Sequence, residues 1–144
     1  MSGLLGKYRM TLDPKGRIIV PAKYRDILGD SFYLALSSAK CLTVYTEEGW
    51  QALLDKLNTL PVSQTGKLRF FFANAAQCEP DKQGRFLIPT ELRQRVGLTQ
   101  DVTFVGAGRV AEIWDSATFD EEENACLTTD YTDYIGEAMG GLGI

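Results

Sequence analysis

Polar and apolar residues alternate from Tyr8 to Leu12 as in a half-buried strand, and the β-branched run Ile18-Ile19-Val20 predicts a strand to pair with it. Between them, Asp13-Pro14-Lys15-Gly16 puts Asp, Pro and Gly at the first, second and fourth positions of a type I turn, so the segment reads as a hairpin with its tip at 13–17. Pro21 closes the second strand and suits the first turn of a helix. Tyr24 and Leu28 form an apolar i, i+4 pair on that helix, and Gly29 stands where a glycine ends it. Phe32 to Leu36 and Leu42 to Tyr45 predict another hairpin. Trp50, Leu53, Leu54 and Leu57 then mark one face of a helix that starts after Thr46 and stops before Pro61, with core packing as the expected use of that face. From Lys67 to Ala76, the positions Leu68, Phe71, Phe72 and Ala75 favour a helix, although Phe70-Phe71-Phe72 also suits a strand.

The pattern then starts again. Asp, Gly, Arg, Pro, Arg and Gly recur at 13/81, 16/84, 17/85, 21/89, 25/93 and 29/97, with apolar residues matching apolar residues between them. Asp81-Lys82-Gln83-Gly84 repeats the turn, Leu92/Val96 repeats the helical pair, and Val102 to Val105 with Ala111 to Trp114 repeats the second hairpin. Trp50 is answered by Phe119 after a one-residue slip. A repeated supersecondary unit outranks any single-element reading. Each copy is too small to bury an adequate core alone, so the two are expected to share one. The expected fold class is α+β, with pseudo-symmetric repeats at 7–50 and 76–119, connecting helices at 51–75 and an acidic, poorly ordered tail at 120–144.

Composition narrows the chemistry. The chain has no histidine, which removes histidine-based triads, metal sites and imidazole acid–base catalysis. Cys41, Cys78 and Cys126 lack C-x-x-C spacing and read as buried, reduced thiols rather than as disulfides or zinc ligands. No metal, cofactor or catalytic residue is expected. A hydrolase would need two facing carboxylates such as Asp13 and Asp81, and no nucleophile–base pair accompanies them. Neither a membrane span nor a signal peptide is indicated, which predicts a cytoplasmic protein.

The net charge of −4 conceals a gradient. Residues 1–25 hold Lys7, Arg9, Lys15, Arg17, Lys23 and Arg25 against Asp13 alone, whereas residues 111–144 hold nine acidic side chains and no basic one. Screening confines a charge's field to about 8–10 Å at physiological salt, so the basic end is judged separately from the acidic one. An exposed Asp–Arg pair contributes only about 0–1 kcal/mol, a weak reason for placing one at both tips. A cationic hairpin tip instead fits the DNA major groove, where arginine bonds guanine O6 and N7 with about 1–3 kcal/mol of discrimination. On this reading Arg17 selects sequence, while Lys7, Arg9 and Lys15 neutralise phosphates. The second tip, with Glu79, Lys82 and Arg85, is the weaker of the two.

The segments Leu5-Gly-Lys-Tyr8, Thr11-Leu-Asp-Pro-Lys-Gly-Arg17, Ile19-Val-Pro-Ala-Lys-Tyr-Arg25, Phe71-Phe-Ala-Asn-Ala-Ala76, Asp81-Lys-Gln-Gly-Arg-Phe-Leu-Ile-Pro89 and Glu112-Ile-Trp-Asp115 resemble the MraZ family of bacterial transcriptional regulators. The resemblance covers residues 5–119 and departs at Met10 and in the acidic tail. It implies two swapped-hairpin repeats of the AbrB/MazE type (a double-split β-barrel) and a homo-oligomeric ring. It further implies binding to tandem promoter repeats in double-stranded DNA, upstream of the division and cell-wall gene cluster, and hence a nucleoid-associated location. Lys15, Gly16 and Arg17 would lie in the DNA-reading loop, with Lys82 and Arg85 as lesser equivalents. The rival reading is a ring-forming scaffold or antitoxin-like protein-binding module that works through the tail.

Overall fold

Turn, proline and glycine signals place most elements where the alternation predicts them. The computed structural model describes residues 3–144. The first repeat supplies β1 (Lys7–Thr11), β2 (Arg17–Ile19), α1 (Ala22–Leu28), β3 (Phe32–Ala35), β4 (Cys41–Thr46) and α2 (Glu47–Leu57). Short helices α3 (Val62–Thr65) and α4 (Leu68–Ala73) connect it to β5 (Ala75–Cys78), β6 (Arg85–Leu87), α5 (Thr90–Arg95), β7 (Asp101–Gly106) and β8 (Ala111–Asp115). Two further helices follow, α6 (Ser116–Cys126) and α7 (Thr129–Gly141). Among the described residues, no helix is long and apolar enough to cross a membrane.

The turns form as expected, but the strands flanking them do not pair with each other. β1 pairs antiparallel with β7, β5 with β3, and β2 with β6. A six-stranded antiparallel sheet of order β1-β7-β8-β4-β3-β5 results, beside a two-stranded ribbon of β2 and β6. The sheet order has the same roles read from either edge, so a pseudo-twofold axis passes between β8 and β4. In the ribbon the axis passes through the directly opposed pair Ile18 and Phe86. Each repeat therefore lends its first strand to the other repeat's hairpin, which is the swapped-hairpin arrangement. Alternation alone predicts a strand and its inward face; it does not name the partner.

The core belongs to both repeats at once. Phe86 packs edge-on against Phe32 at 4.9 Å and against Phe104 at 6.4 Å between ring centres. Tyr24 lies edge-on to Tyr8 and Phe104, and its buried hydroxyl donates to the carbonyls of Leu5 and Gly6 at 2.7 and 2.9 Å. Burial pushes that phenol's pKa up to about 12.

Helix α2 starts where Thr46 ends β4, because the Thr46 hydroxyl accepts the Gly49 N–H at 2.9 Å while Glu47 and Glu48 occupy the first turn. Thr46→Ala is expected to lower the unfolding free energy by about 1 kcal/mol in urea titrations. Trp50 is buried, stacked on Tyr33 at 4.9 Å and on Phe71 at 5.8 Å. Leu53, Leu54 and Leu57 are only half-buried, so the predicted apolar stripe is partly covered. The helix expected through Ala76 ends at Ala73, where the chain turns at Asn74 to place Ala75 and Ala76 in β5 opposite β3.

The largest correction lies in the tail. The stretch expected to be poorly ordered is helical in α6 and α7. α6 leaves β8 as α2 leaves β4, and its Phe119 packs edge-on against Trp114 at 5.6 Å, the counterpart of Trp50 against Tyr45 at 5.6 Å. Its acidic residues meet cations: Glu123 pairs with Lys7, Asp120 with Arg9 and Glu122 with Lys40. The thiols of Cys41 and Cys78 are buried, but Cys126, at the end of α6, is exposed.

Candidate nucleic-acid interface

The two tips are built alike, with an aspartate organising each from within. The Gly16 N–H donates to the Asp13 carbonyl and the Asp13 N–H to the Arg17 carbonyl, both at 2.9 Å. Asp13 Oδ1 accepts the backbone N–H groups of Lys15 and Arg17 at 2.9 Å each, and Oδ2 accepts Arg17 Nε at 2.7 Å. In the second tip, Asp81 Oδ1 accepts the N–H groups of Gln83 and Arg85 at 2.9 and 3.0 Å, and Oδ2 accepts Arg85 Nε at 2.9 Å. The glycine of each turn has positive φ, 83° at Gly16 and 81° at Gly84, a region that costs a side-chain-bearing residue about 1–2 kcal/mol.

These bonds hold both carboxyls below the ordinary aspartate pKa of 3.8, chiefly through the Arg17 and Arg85 backbone N–H groups, with the guanidinium adding to them. A lowered folded-state pKa stabilises the turn above the ordinary value, and that contribution disappears as pH falls through the lowered one. That contribution is thus expected to persist from neutral pH down to about pH 4 and to be lost only in stronger acid. Carboxyl carbon shifts of Asp13 and Asp81 followed by NMR check this, and a midpoint above 3.8 for either would contradict it.

The ribbon carries the tips at its opposite ends. Arg17 faces Leu87, Ile18 faces Phe86 and Ile19 faces Arg85 across the strands. Because side chains alternate, Ile18 and Phe86 enter the core while Arg17, Ile19, Arg85 and Leu87 share the outer face. Ile19 and Leu87 are 41% and 53% exposed there. Gly16 bonds Ile88 and Gly84 bonds Val20, so the two turns stand four residues apart along the ribbon, about 14 Å at strand spacing. Asp13 and Asp81 therefore do not face each other, and each is engaged by its own turn. The facing carboxylates a hydrolase would need are not formed.

Arg17 is not sealed in the core; its side chain is 34% exposed, and that of Arg85 is 38% exposed. Each commits Nε to its aspartate, and among the described residues the terminal nitrogens have no hydrogen-bond partner. A guanidinium held at Nε and open at Nη1 and Nη2 is pre-oriented for a bidentate acceptor pair. Lys15 and Lys82 are exposed on the turns, again without an ion-pair partner among the described residues.

Lys7 and Arg9 are placed differently. They lie on edge strand β1, away from the turns, paired with Glu123 and Asp120 of α6, and the Lys7 ammonium stands 5.8 Å from the centre of the Phe119 ring. Of the seven residues read as DNA contacts, Lys15, Gly16, Arg17, Lys82 and Arg85 gather on the two turns. Sequence reasoning missed α6 as the partner of Lys7 and Arg9. The Trp50/Phe119 match carried the signal, since it extends the repeat beyond β8 into a counterpart of α2.

Comparison with known proteins also finds two repeats in the chain. The family model described as "MraZ protein, putative antitoxin-like" matches at residues 4–70 and again at 71–132. A protein of Thermoanaerobacter sp. (strain X514) named transcriptional regulator MraZ is 44% identical over 98% of this chain and 99% of its own length. Proteins of the same name from Lachnoclostridium phytofermentans and Clostridium beijerinckii are each 41% identical over 97% of this chain, covering 97% and 99% of the respective relative. Matched once by each repeat, and aligned with such relatives from end to end, the chain belongs to the MraZ family.

Proposed function

We propose that this protein is a DNA-binding transcriptional regulator, not an enzyme, that recognises tandem promoter repeats through its paired turns. The observation that carries the reading is the outer face of the β2/β6 ribbon. It is flanked by two cationic turns, each presenting an arginine whose Nε is held by an aspartate while its terminal nitrogens stay open. Relatives named as transcriptional regulators support it. One turn makes a modest contact; several turns displayed around a homo-oligomeric ring raise avidity by about 10²–10⁴ if the DNA repeats are phased near one helical turn. The expected biological role is repression or autoregulation of the division and cell-wall gene cluster, with the protein cytoplasmic and nucleoid-associated.

Fluorescence anisotropy with duplexes from the promoter of its own operon, across a salt series, tests the proposal. Duplexes carrying tandem repeats are expected to bind more tightly than scrambled duplexes of the same length. Equal binding at moderate salt overturns it. The reading as a scaffold or antitoxin-like protein binder draws on α7 and the residue that follows it, where Tyr134, Met139 and Leu142 are exposed. It predicts a protein partner that is lost on deleting residues 120–144, with no effect of the Arg17 and Arg85 turns.

A further inference from the structure

Two arginines of the repeat, Arg25 and Arg93, lie outside the turns, and their positions give them a role of their own. Arg93 follows β6 on α5, where its Nε donates to the Ile88 carbonyl at 3.0 Å and its Nη2 to the Thr90 hydroxyl at 2.8 Å. From there its guanidinium lies over Gly16, in the turn of the other repeat: a Cβ placed on Gly16 would come within 2.5 Å of Arg93 Cζ. Arg25 takes the corresponding place on α1, with its Nη2 bonded across to the other turn rather than within its own repeat. Its Nε donates to the Val20 carbonyl at 3.1 Å and its Nη2 reaches the Gln83 carbonyl at 3.3 Å, while its guanidinium covers Gly84, where a Cβ would come within 2.9 Å. The backbone crosses in the same sense, since the Ile88 N–H donates to the Gly16 carbonyl at 3.0 Å and the Val20 N–H to the Gly84 carbonyl at 2.8 Å.

We propose that Arg25 and Arg93 are positioning residues, each of which clamps the DNA-reading turn of the opposite repeat. Glycine is needed at 16 and 84 for the turn and also so that a flat guanidinium can rest on the main chain. The aspartate brackets each turn from inside, and the opposite repeat's arginine rests on its glycine. A turn so held keeps Arg17 or Arg85 in one orientation when DNA arrives, and alignment within a fraction of an ångström governs directional hydrogen bonding. The two turns consequently act as one unit, because the strand that carries each is continuous with the arginine that steadies the other.

The inference rests on the DNA-reading role proposed above, and two measurements on the full-length protein separate the two claims. Amide hydrogen exchange without DNA is expected to show a crossed pattern. Arg93→Ala speeds exchange at 15–17 and spares 82–85, and Arg25→Ala does the reverse. In anisotropy titrations, Arg93→Ala is expected to reduce discrimination between tandem-repeat and scrambled duplexes about fivefold with an unchanged salt slope. Arg93→Lys keeps the charge without the planar fork and is expected to restore neither property. Loosening of the turn in the arginine's own repeat, full rescue by lysine, or a loss shared equally by all duplexes overturns the clamp. If the wild-type protein fails to discriminate, the DNA-reading role falls, while the crossed exchange pattern still decides whether the arginines clamp.

Discussion

Arg17→Ala is expected to erase the preference for cognate repeats while leaving general affinity for DNA largely in place. A bidentate arginine–guanine contact is worth about 1–3 kcal/mol of discrimination, or about 5–150-fold, at each engaged turn. When several subunits bind neighbouring repeats, the loss multiplies with the number of turns engaged. The geometry supports placing this effect at Arg17 rather than at a lysine: Asp13 fixes Nε at 2.7 Å, and the two coplanar terminal nitrogens have no partner among the described residues. Lys15→Ala is the matched control. It removes an exposed point charge from the same turn, so it is expected to weaken all duplexes alike and flatten the salt slope by about one unit. Anisotropy with cognate and scrambled duplexes at several salt concentrations separates the two, and equal, sequence-independent losses from both changes would sink the division of labour.

Neutralising the face of α6 that covers β1, through Asp120→Asn with Glu123→Gln, is expected to strengthen DNA binding and steepen its salt dependence. Lys7 and Arg9 are paired with those carboxylates, and exposed pairs contribute only about 0–1 kcal/mol each, so folding loses little when they are removed. Two freed cations add about 1.8 to the slope of log K against log salt, and the gain shrinks about tenfold between 50 and 200 mM. The same pairing alters what Lys7→Ala does. Sequence alone assigns Lys7 to phosphate, but with α6 in place its removal is expected to change DNA affinity little, and a full phosphate-contact effect emerges only in the neutralised background. An unchanged slope in the Asp120/Glu123 variant would show that β1 takes no part in binding.

Much of the candidate site was legible because turn chemistry is local. Asp13-Pro-Lys-Gly-Arg17 and Asp81-Lys-Gln-Gly-Arg85 specify their hydrogen bonds within five residues, and those bonds form. Pro21, Pro89 and Thr46 act on the backbone within one turn of the helices they begin. Strand pairing lay beyond that reach. Tyr8 to Leu12 announces a strand with one inward face, yet its pairing with β7 joins residues nearly a hundred positions apart and depends on which edge the shared core leaves open. The tail was misread because Asp120-Glu-Glu-Glu123 looks like a solvated charge run until β1 is seen to offer Lys7 and Arg9 at matching positions.

The amino-acid order alone dictated two copies of one unit, the turn at the head of each, the helix starts and stops, and an arginine four residues after each aspartate. Those are consequences of dihedral preference and short-range hydrogen bonding, which need no distant partner. Folding in three dimensions settled the exchange of strands between the copies, the resting of Arg25 and Arg93 on the opposite glycines, and the meeting of α6 with β1. Each of these depends on which surfaces are left to be covered once the common core has closed, a quantity that exists only after the whole chain has packed.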